Sequence, residues 1–261
     1  MDYGLSGKTA IVTGASQGIG AAIARALHRE GVTLTIVGQS RERLEQTARN
    51  AGSGGAPVHL QVADLGLLTE TERVVAEALR QMGHVDILIN SAARAKFGSF
   101  FSMSDADFQD VWQVKGLGYV RLVRAVAPHM MQRRDGRIVN IIGSAARTPS
   151  ADSIAVSMVN AALVNFTRGL SRELAHHNVR INSISPGLTL TERQQRSHEM
   201  EAGSQDIPLQ TVIDKATRAI PLGRYVSMEE IANMALLLVS DLAPGLTGED
   251  IIIDGGMTPS I

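Results

Sequence analysis

The sequence lacks several features, and each absence narrows what the protein can be. None of its 261 residues is cysteine, so disulfide bonds and thiolate-bound zinc are excluded. Aromatic residues make up only 3% of the chain, and the 25 basic residues nearly balance the 26 acidic ones. The formal net charge is -1 at pH 7, which gives no electrostatic reason to expect nucleic acid or an anionic membrane as a partner.

Long apolar runs are also absent. The longest fall well short of the ~20 residues that a membrane-spanning helix needs. The first four residues do not begin a basic region followed by an apolar stretch, as a secretory signal would. Histidine and acidic residues do not recur with metal-ligand spacing on any one predicted element, so we predict no metal site. We therefore expect a soluble cytoplasmic protein.

Short β-branched runs alternate with longer segments of helical period. Strands are predicted at 9–12, 33–37, 58–62, 85–89, 137–142, 180–184 and 250–253, and helices at 20–30, 41–51, 69–82, 105–131, 159–176 and 228–240. This alternation predicts an α/β fold: a single doubly wound, Rossmann-type three-layer sandwich over residues 1–261, with a central parallel sheet. The segment 189–219 is long, polar and weakly patterned, and we expect it to be a substrate lid.

A glycine-rich turn follows the first predicted strand and opens the first helix. It reads Thr13-Gly14-Ala15-Ser16-Gln17-Gly18-Ile19-Gly20. Glycines here permit a tight turn and let the backbone approach a pyrophosphate, which the free N–H groups of the helix N-terminus bind. The alternative is a turn with a purely structural role. Its place between strand and helix favours a dinucleotide site, to which we assign Gly14, Ser16, Gln17, Gly18, Ile19 and Gly20.

The spacing Thr13-Gly14-x-x-x-Gly18-x-Gly20 resembles the phosphate loop of the short-chain dehydrogenase/reductase family. The resemblance continues through Asn90-Ser91-Ala92-Ala93 and through Pro186-Gly187 followed by Thr191. It implies an oxidoreductase that uses a nicotinamide dinucleotide and acts on a small carbonyl, alcohol or conjugated enone. It also implies a homo-oligomer, expected to be a tetramer, with the 248–256 segment and the 105–131 helix at its interfaces.

The resemblance extends the predicted cofactor site beyond the glycine-rich turn. It implies that Asp64 meets the adenine and that the 186–191 segment closes over the nicotinamide. The further cofactor-binding residues predicted in this way are Asp64, Leu65, Asn90, Ala92, Asn160, Pro186, Gly187 and Thr191.

The form of the dinucleotide depends on the end of the second predicted strand. An acid there accepts a hydrogen bond from the ribose 2′-hydroxyl of NAD. This chain has Gln39-Ser40-Arg41 instead, without an acid, and Ser40 and Arg41 are candidates to meet a 2′-phosphate. The pattern favours NADP(H) over NAD(H). Two observations count against NADP(H). Gln17 and Gln39 occupy positions where a phosphate-binding lysine or arginine often appears, and Arg41 can equally be a solvated charge.

The usual catalytic pair of the family is missing. Its members carry an asparagine, a serine and Tyr-x-x-x-Lys, in which the tyrosine transfers the proton and the lysine lowers its pKa. Matching Asn160-Ala161-Ala162-Leu163 to the family's Lys-Ala-Ala-Leu places Val156 and Asn160 at the pair. Valine has no proton to give, and asparagine carries no charge to lower a neighbour's pKa. The chain therefore resembles an atypical member of the family.

The family's catalytic asparagine falls on Lys115, so two positions carry exchanged residue types. One interpretation is a reciprocal swap, in which Lys115 supplies the ammonium, with a lowered pKa, and Asn160 makes polar contacts to the ribose. The other is that Lys115 is structural and the chemistry is lost. Ser144 and Ser153 are candidate catalytic hydroxyls, whereas Tyr119, four residues after Lys115, is more typical of a packed core.

Three functions remain open at this point. The first is an NAD(P)(H)-dependent oxidoreductase with a non-standard active site and a small-molecule substrate. The second is a lyase or isomerase that uses Lys115 on the same scaffold, and the third is a regulatory protein that binds the dinucleotide without turnover. Fold alone does not decide among them, because function resides in the site.

Overall fold

A seven-stranded parallel sheet lies at the centre of the computed structural model, which describes residues 2–52 and 55–259. Its strands are β1 (Thr9–Thr13), β2 (Thr33–Gly38), β3 (Val58–Val62), β4 (Ile87–Asn90), β5 (Gly136–Ile141), β6 (Val179–Pro186) and β7 (Asp250–Ile253). They lie in the order β3-β2-β1-β4-β5-β6-β7. Ala10 pairs with both Leu34 of β2 and Ile87 of β4, which sets the register of the central strands.

Helices cover both faces of the sheet. They are α1 (Gly18–Arg29), α2 (Arg41–Asn50), α3 (Leu68–Met82), α4 (Asp105–Val111), α5 (Gly118–Arg133), α6 (Ile154–Ala175), α7 (Glu192–Gln205), α8 (Leu209–Arg218) and α9 (Met228–Val239). One face packs against α1 and α9, and the other against α3, α5 and α6. Among the described residues, no helix is both long enough and apolar enough to cross a membrane.

The central strands are buried along their length because both of their faces are covered. Successive side chains of β1 alternate between the two cores: Ala10 and Val12 pack on the α1 side, and Ile11 packs on the α3 side. All five residues of β1 and all eight of β6 are buried. Near-continuous apolar strands are typical of parallel sheets in α/β proteins. The predicted fold class is confirmed.

Three predicted segments differ from the structure. The helix predicted at 159–176 begins earlier, at Ile154, as α6. The single helix predicted at 105–131 is α4 and α5 joined by a π-helical turn, Trp112–Leu117, and it extends to Arg133. The 189–219 segment is largely helical, because it forms α7 and α8. The spacing of apolar residues is nearly the same with and without the extra residue of a π turn, so it does not distinguish one long helix from two joined helices. Helix α7 has few apolar residues, so its sequence shows no helical period.

The strand order reverses between β1 and β4, since the chain passes from β1 outward to β3 and then returns to β4 on the opposite side of β1. Ligands of open α/β sheets bind in the crevice at the carboxyl ends of the strands beside such a reversal. The glycine-rich turn after β1 and the Ser91–Ala93 segment after β4 both lie there.

Candidate functional site

Two glycines of the turn after β1 are required by close backbone packing. Gly14 has φ +65°, and a Cβ on it would lie 2.7 Å from the backbone carbon and oxygen of Ser91. A Cβ on Gly20 would lie 2.4 Å from the Gly14 carbonyl oxygen. Thr13 Oγ1 accepts a hydrogen bond of 3.0 Å from the Ser91 N–H and so joins the ends of β1 and β4. The turn therefore holds its backbone against β4 and leaves its outer side open.

The N-terminus of α1 faces this opening with little capping from its own residues. Gln17 is the N-cap residue and its side chain makes no capping hydrogen bond, and the first turn contains no acid. The Gly18 N–H donates a hydrogen bond of 3.2 Å to Glu192 Oε2, which belongs to α7. The first N–H groups and the partial positive charge of a helix N-terminus together favour an anion.

Two cavities meet at the turn and form one cleft. The first, of about 350 Å³, extends toward the end of β2, and we call it the β2 cavity. The second, of about 300 Å³, extends toward α7 and contains Lys115, and we call it the lysine cavity. The two cavities share Gly14, Ser16, Gln17 and Ala93.

The β2 cavity contains most of the residues predicted for the adenosine half of the cofactor. Gln39, Ser40, Leu65 and Ala92 line it. Arg43 lines it as well, and its Nη1 donates a hydrogen bond of 2.7 Å to Gln17 Oε1.

Arg41, which the sequence offers as a candidate to meet a 2′-phosphate, does not line this cavity. Its guanidinium lies 3.9 Å from the Glu45 carboxylate, on the exposed side of α2. The physical reason is helix geometry. Ser40 is the N-cap of α2 and accepts from the Arg43 N–H, so the third helical residue turns back toward the strand end and the first turns outward. Arg43 is therefore the arginine of α2 that lines the cavity.

Asp64 has partners within the chain. Its Oδ1 accepts from the Gly66 N–H at 3.0 Å, and its Oδ2 accepts from Arg94 Nη2 at 2.8 Å. Arg94 also bonds Asp110 and lines the β2 cavity, so the cavity presents a guanidinium beside the predicted adenine position.

Lys115 is buried in the wall of the lysine cavity. It stands in the π-helical turn and is 5% exposed, and its Nζ donates a hydrogen bond of 2.6 Å to the Ile142 carbonyl oxygen at the end of β5. Burial lowers the pKa of the Lys115 ammonium from near 10.5 to about 7. π-helical turns inside helices occur frequently at functional sites. The structure thus brings Lys115 to the same cleft as the glycine-rich turn.

Asn160 lies next to the residue that follows Ile142. It is buried in α6, and a Cβ on Gly143 would come within 2.9 Å of its Nδ2. Gly143 has φ +144°, a conformation that favours glycine. Within the described residues, Asn160 Oδ1 is a buried acceptor without a hydrogen-bond partner. Lys115 and Asn160 therefore both lie against the backbone of residues 142–143.

The candidate hydroxyls fall into two groups. Ser144 follows Gly143 directly and is half-buried. Ser153 is buried in a chain of serine hydroxyls, 2.7 Å from Ser150 Oγ and 3.2 Å from Ser157 Oγ. Tyr119 packs in a core, where its hydroxyl donates to the Ile141 carbonyl oxygen and burial raises the pKa of its phenol.

The remaining predicted residues support the cleft from outside the two cavities or at their edge. Asn90 is fully buried and its Nδ2 donates to Asn140 Oδ1 at 2.9 Å, so its side chain lies within the sheet layer. Pro186 and Gly187 end β6, where a Cβ on Gly187 would lie 2.5 Å from Asp254 Cβ. Thr191 lines the lysine cavity and accepts from the Gln194 N–H as the N-cap of α7.

Sequence reasoning missed Arg43, Arg94, Glu192 and Arg193, all of which line the cleft. A signal was present for two of them. Arg43 occupies the third position after an N-cap serine, and Glu192 follows the predicted site residue Thr191. Nothing in the local pattern distinguishes Arg94 and Arg193 from solvated charges. Among the described residues, no three histidine, cysteine or acidic side chains are grouped closely enough to hold a metal ion.

A dinucleotide fits the groups that the cleft presents. Backbone N–H groups at the start of α1 suit a pyrophosphate, and the close contacts at Gly14 and Gly20 keep side chains out of its approach. Arg43 lies at one end of the cleft and Lys115 at the other.

Comparison with known proteins gives matches over nearly the whole chain. A family model described as enoyl-(acyl carrier protein) reductase matches residues 14–258. The chain is 34% identical to 2,3-dihydro-2,3-dihydroxybenzoate dehydrogenase of Bacillus subtilis, with 98% of this chain and 97% of that protein covered. It is 36% identical to the oxidoreductase UcpA of Salmonella typhimurium, with 97% and 95% covered.

Similarity to solved structures is equally extensive. L-sorbose reductase from Gluconobacter frateurii, crystallised with NADPH and L-sorbose, superposes with a TM-score of 0.96 at 30% sequence identity. The match covers 100% of both chains.

Proposed function

The chain belongs to the short-chain dehydrogenase/reductase family, and from this premise we propose that it is an NADP(H)-dependent oxidoreductase with a non-standard active site. In this proposal the amine of Lys115 replaces the tyrosine hydroxyl as the group that gives a proton to the substrate oxygen in reduction and takes it in oxidation. The substrate is a small carbonyl, alcohol or conjugated enone.

The observation that carries the proposal is the environment of Lys115. Its Nζ is buried in a wall of the cleft, next to the Ile142 carbonyl and without a carboxylate partner among the described residues. An amine whose pKa is about 7 is present in both protonation states near neutral pH, which suits a general acid or base. A lysine on the surface would be almost fully protonated and a poor base.

Asn160 and Ser144 complete the proposed site. Asn160 is proposed to contact the ribose, as the lysine at this position does in the family. Its Oδ1 is a buried acceptor without a partner among the described residues, and Asn160 lines neither cavity. Ser144 follows Gly143 directly and lines neither cavity, and its proposed role is to help orient a substrate oxygen. Ser153 is held in its own hydroxyl chain and supports the loop between β5 and α6.

When bound, the cofactor supplies the hydride, and the protein supplies binding, orientation and a proton. The residues proposed to hold its phosphates are Gly14, Ser16, Gln17, Gly18, Ile19 and Gly20. Thr191, together with Pro186 and Gly187, supports the nicotinamide end, and Asp64, Leu65 and Ala92 support the adenine end. Asn90 acts from within the sheet by holding β4 and β5 in register.

The preference for NADP(H) rests on the charge of the β2 cavity. Gln39 and Ser40 follow β2 without an acid, and Arg43 reaches the cavity beside Gln17. A guanidinium binds phosphate through charge-assisted hydrogen bonds. Arg43 therefore takes the role that the sequence had suggested for Arg41.

We also infer a homotetramer in which residues 189–219 act as a lid over the substrate. Exposed apolar side chains on the outer helices support association: Trp112 and Met158 line one pocket, and they are 42% and 59% exposed. The single-domain organisation over 1–261 and the cytoplasmic location stay predictions.

The test of this proposal is a fluorescence titration with NADPH and NADH, followed by assays with a panel of ketones, aldehydes and enones. Binding with consumption of NADPH by at least one substrate class is the expected result. Binding without turnover would favour a regulatory protein. Conversion of substrate with no net change in cofactor would favour a lyase or isomerase. Failure of both cofactors to bind at millimolar concentration would refute the proposal.

A further inference from the structure

The N-terminus of α7 is attached to two other segments of the chain. Glu192 Oε2 accepts the hydrogen bond of 3.2 Å from the Gly18 N–H, at the start of α1. The next residue, Arg193, places its guanidinium 5.1 Å from the centre of the Phe97 ring, in the segment between β4 and α4. Both Glu192 and Arg193 line the lysine cavity. These two contacts hold the first turn of the lid across the cavity.

The contact of Glu192 occupies a group that an anionic ligand would use. Helix α1 has no acid in its first turn and no side-chain cap from Gln17, so its N-terminal charge is not compensated locally. A carboxylate oxygen and a phosphate oxygen are the same kind of acceptor for such an N–H group. A pyrophosphate at the phosphate loop and the Glu192 carboxylate therefore compete for the N-terminus of α1.

The charge of Glu192 is also unbalanced. Across residues 2–52 and 55–259, no lysine or arginine lies within ion-pair distance of its carboxylate, whereas Arg193 is engaged with an aromatic ring. A bound pyrophosphate would bring further negative charge next to this carboxylate. Like charges in close proximity repel, and the exposed Glu192 side chain has room to leave.

We propose that Glu192 is an internal competitor of the cofactor, occupying the phosphate loop in the empty protein and leaving it when the dinucleotide binds. Release of Glu192 then frees the first turn of the lid, which couples cofactor binding to lid movement. The middle of α7 is held separately, because His198 Nε2 lies 2.7 Å from Tyr225 Oη. The helix therefore keeps one attachment while its N-terminus moves. The inference rests on the proposed function in one respect, namely that the cofactor binds at this loop.

The experiment compares NADPH affinity among matched variants by nicotinamide fluorescence. Glu192→Ala removes the contact and the charge, and Glu192→Gln removes the charge alone. The control is Glu199→Gln, an exposed acid on the same helix whose carboxylate accepts only from Gln195 Nε2, at 3.3 Å, among the described residues. We expect both Glu192 variants to bind NADPH about two- to fivefold more tightly than the parent, the range expected for a charge at a helix N-terminus. The control should match the parent.

Salt provides a second readout. At an ionic strength of about 1 M the Debye length falls to roughly 3 Å, so the difference between the parent and Glu192→Gln should nearly disappear. Equal affinity of the parent and Glu192→Ala at low salt would overturn the inference. Weaker binding by Glu192→Ala would also overturn it, since Glu192 would then be a cofactor ligand. Absence of binding in the parent and in every variant would instead refute the proposed function on which the inference rests.

Discussion

At the scale of single residues, the properties of the site follow from which charges are buried and which are paired. Lys115 is buried without a carboxylate partner among the described residues, so burial lowers the pKa of its ammonium to about 7. Arg94 is buried to a lesser degree and is paired with both Asp64 and Asp110. The first arrangement is costly to the fold and useful for proton transfer, whereas the second is a stable structural pair.

The cost of burying Lys115 predicts a pH-dependent stability. The unfolded chain holds its proton up to a pKa near 10.5 and the folded chain only up to about 7. The unfolded state thus binds more protons between these values, so stability rises with pH through this window and the full penalty applies below pH 7. Lys115→Met should raise the free energy of unfolding by a few kcal/mol, on the order implied by such a shift, at pH 6.

Urea unfolding at pH 6 and pH 10 checks this prediction. The gain from Lys115→Met should be largest at pH 6 and should shrink at pH 10. A gain that does not change with pH would show that Lys115 is protonated equally in both states.

The position of Arg43 in the β2 cavity predicts that the protein binds NADPH more tightly than NADH. Arg43→Ala should weaken NADPH binding by about tenfold, the lower end expected for loss of a charge-assisted hydrogen bond, with little effect on NADH. Arg41→Ala is the matched control, because Arg41 belongs to the same helix and faces Glu45. Calorimetric titration of both variants with both cofactors distinguishes the two arginines. An equal loss of NADPH and NADH affinity in Arg43→Ala would contradict a 2′-phosphate contact.

At the scale of elements, the turn after β1 and the turn between α4 and α5 bring the site together, and they differed in how predictable they were. Gly14 and Gly20 make the first turn predictable from the sequence, because close backbone packing excludes residues with a Cβ at these positions. The π-helical turn at 112–117 has no such signature. It depends on tertiary packing. Gly118, the residue after the turn, packs so closely that a Cβ on it would lie 3.1 Å from the Leu65 carbonyl oxygen. The sequence therefore identified Lys115 by family resemblance, but not the turn that buries it.

A substitution at Gly14 tests whether the turn after β1 requires close backbone packing. Gly14→Ala places a Cβ 2.7 Å from the Ser91 backbone, at a φ of +65° that costs a non-glycine residue about 1–2 kcal/mol in addition. We expect a loss of stability of at least ~2 kcal/mol and of most cofactor affinity. Gly169→Ala is the control, since nothing lies within 4 Å of a Cβ there. In a helix interior alanine stabilises by roughly 0.5–1 kcal/mol relative to glycine. Similar behaviour of the two variants in thermal melts and NADPH titrations would contradict the packing argument.

At the scale of the whole molecule, the layered fold was predictable because strand and helix periods alternate along the entire chain. The largely apolar run at 9–12 required a strand covered on both faces, as β1 is. The 180–184 segment carries Arg180, Asn182 and Ser183, and β6 is buried all the same. The site was less predictable. Arg43, Glu192 and Arg193 reach the cleft because they lie in the first turns of α2 and α7, and the direction of those turns is set by the fold. Spatial proximity of this kind has no periodic signal in the sequence.

The exposed apolar side chains on the outer helices predict association. Trp112 and Met158 lie beside each other on the surface formed by α6 and the π-helical turn. Analytical ultracentrifugation at micromolar concentration should show a tetramer, and Met158→Glu should shift the distribution toward smaller species because it places a charge in the apolar patch. A parent protein that sediments only as a monomer would contradict the proposed assembly.

The most direct test of the account is the turnover and cofactor affinity of Lys115→Met, measured across pH with any substrate that the parent reduces. As a general acid, Lys115 must be protonated for reduction, so the parent's rate should fall as pH rises through about 7. Lys115→Met should lower turnover by roughly 10²–10⁴-fold, remove this pH dependence and keep NADPH affinity. Lys8→Met, on a lysine outside both cavities and the lid, should match the parent. Weakened NADPH binding as the main effect would limit Lys115 to anchoring the ribose. Parent-like turnover and affinity in Lys115→Met would contradict the central claim and leave the proton to Ser144, Ser153 or the substrate itself.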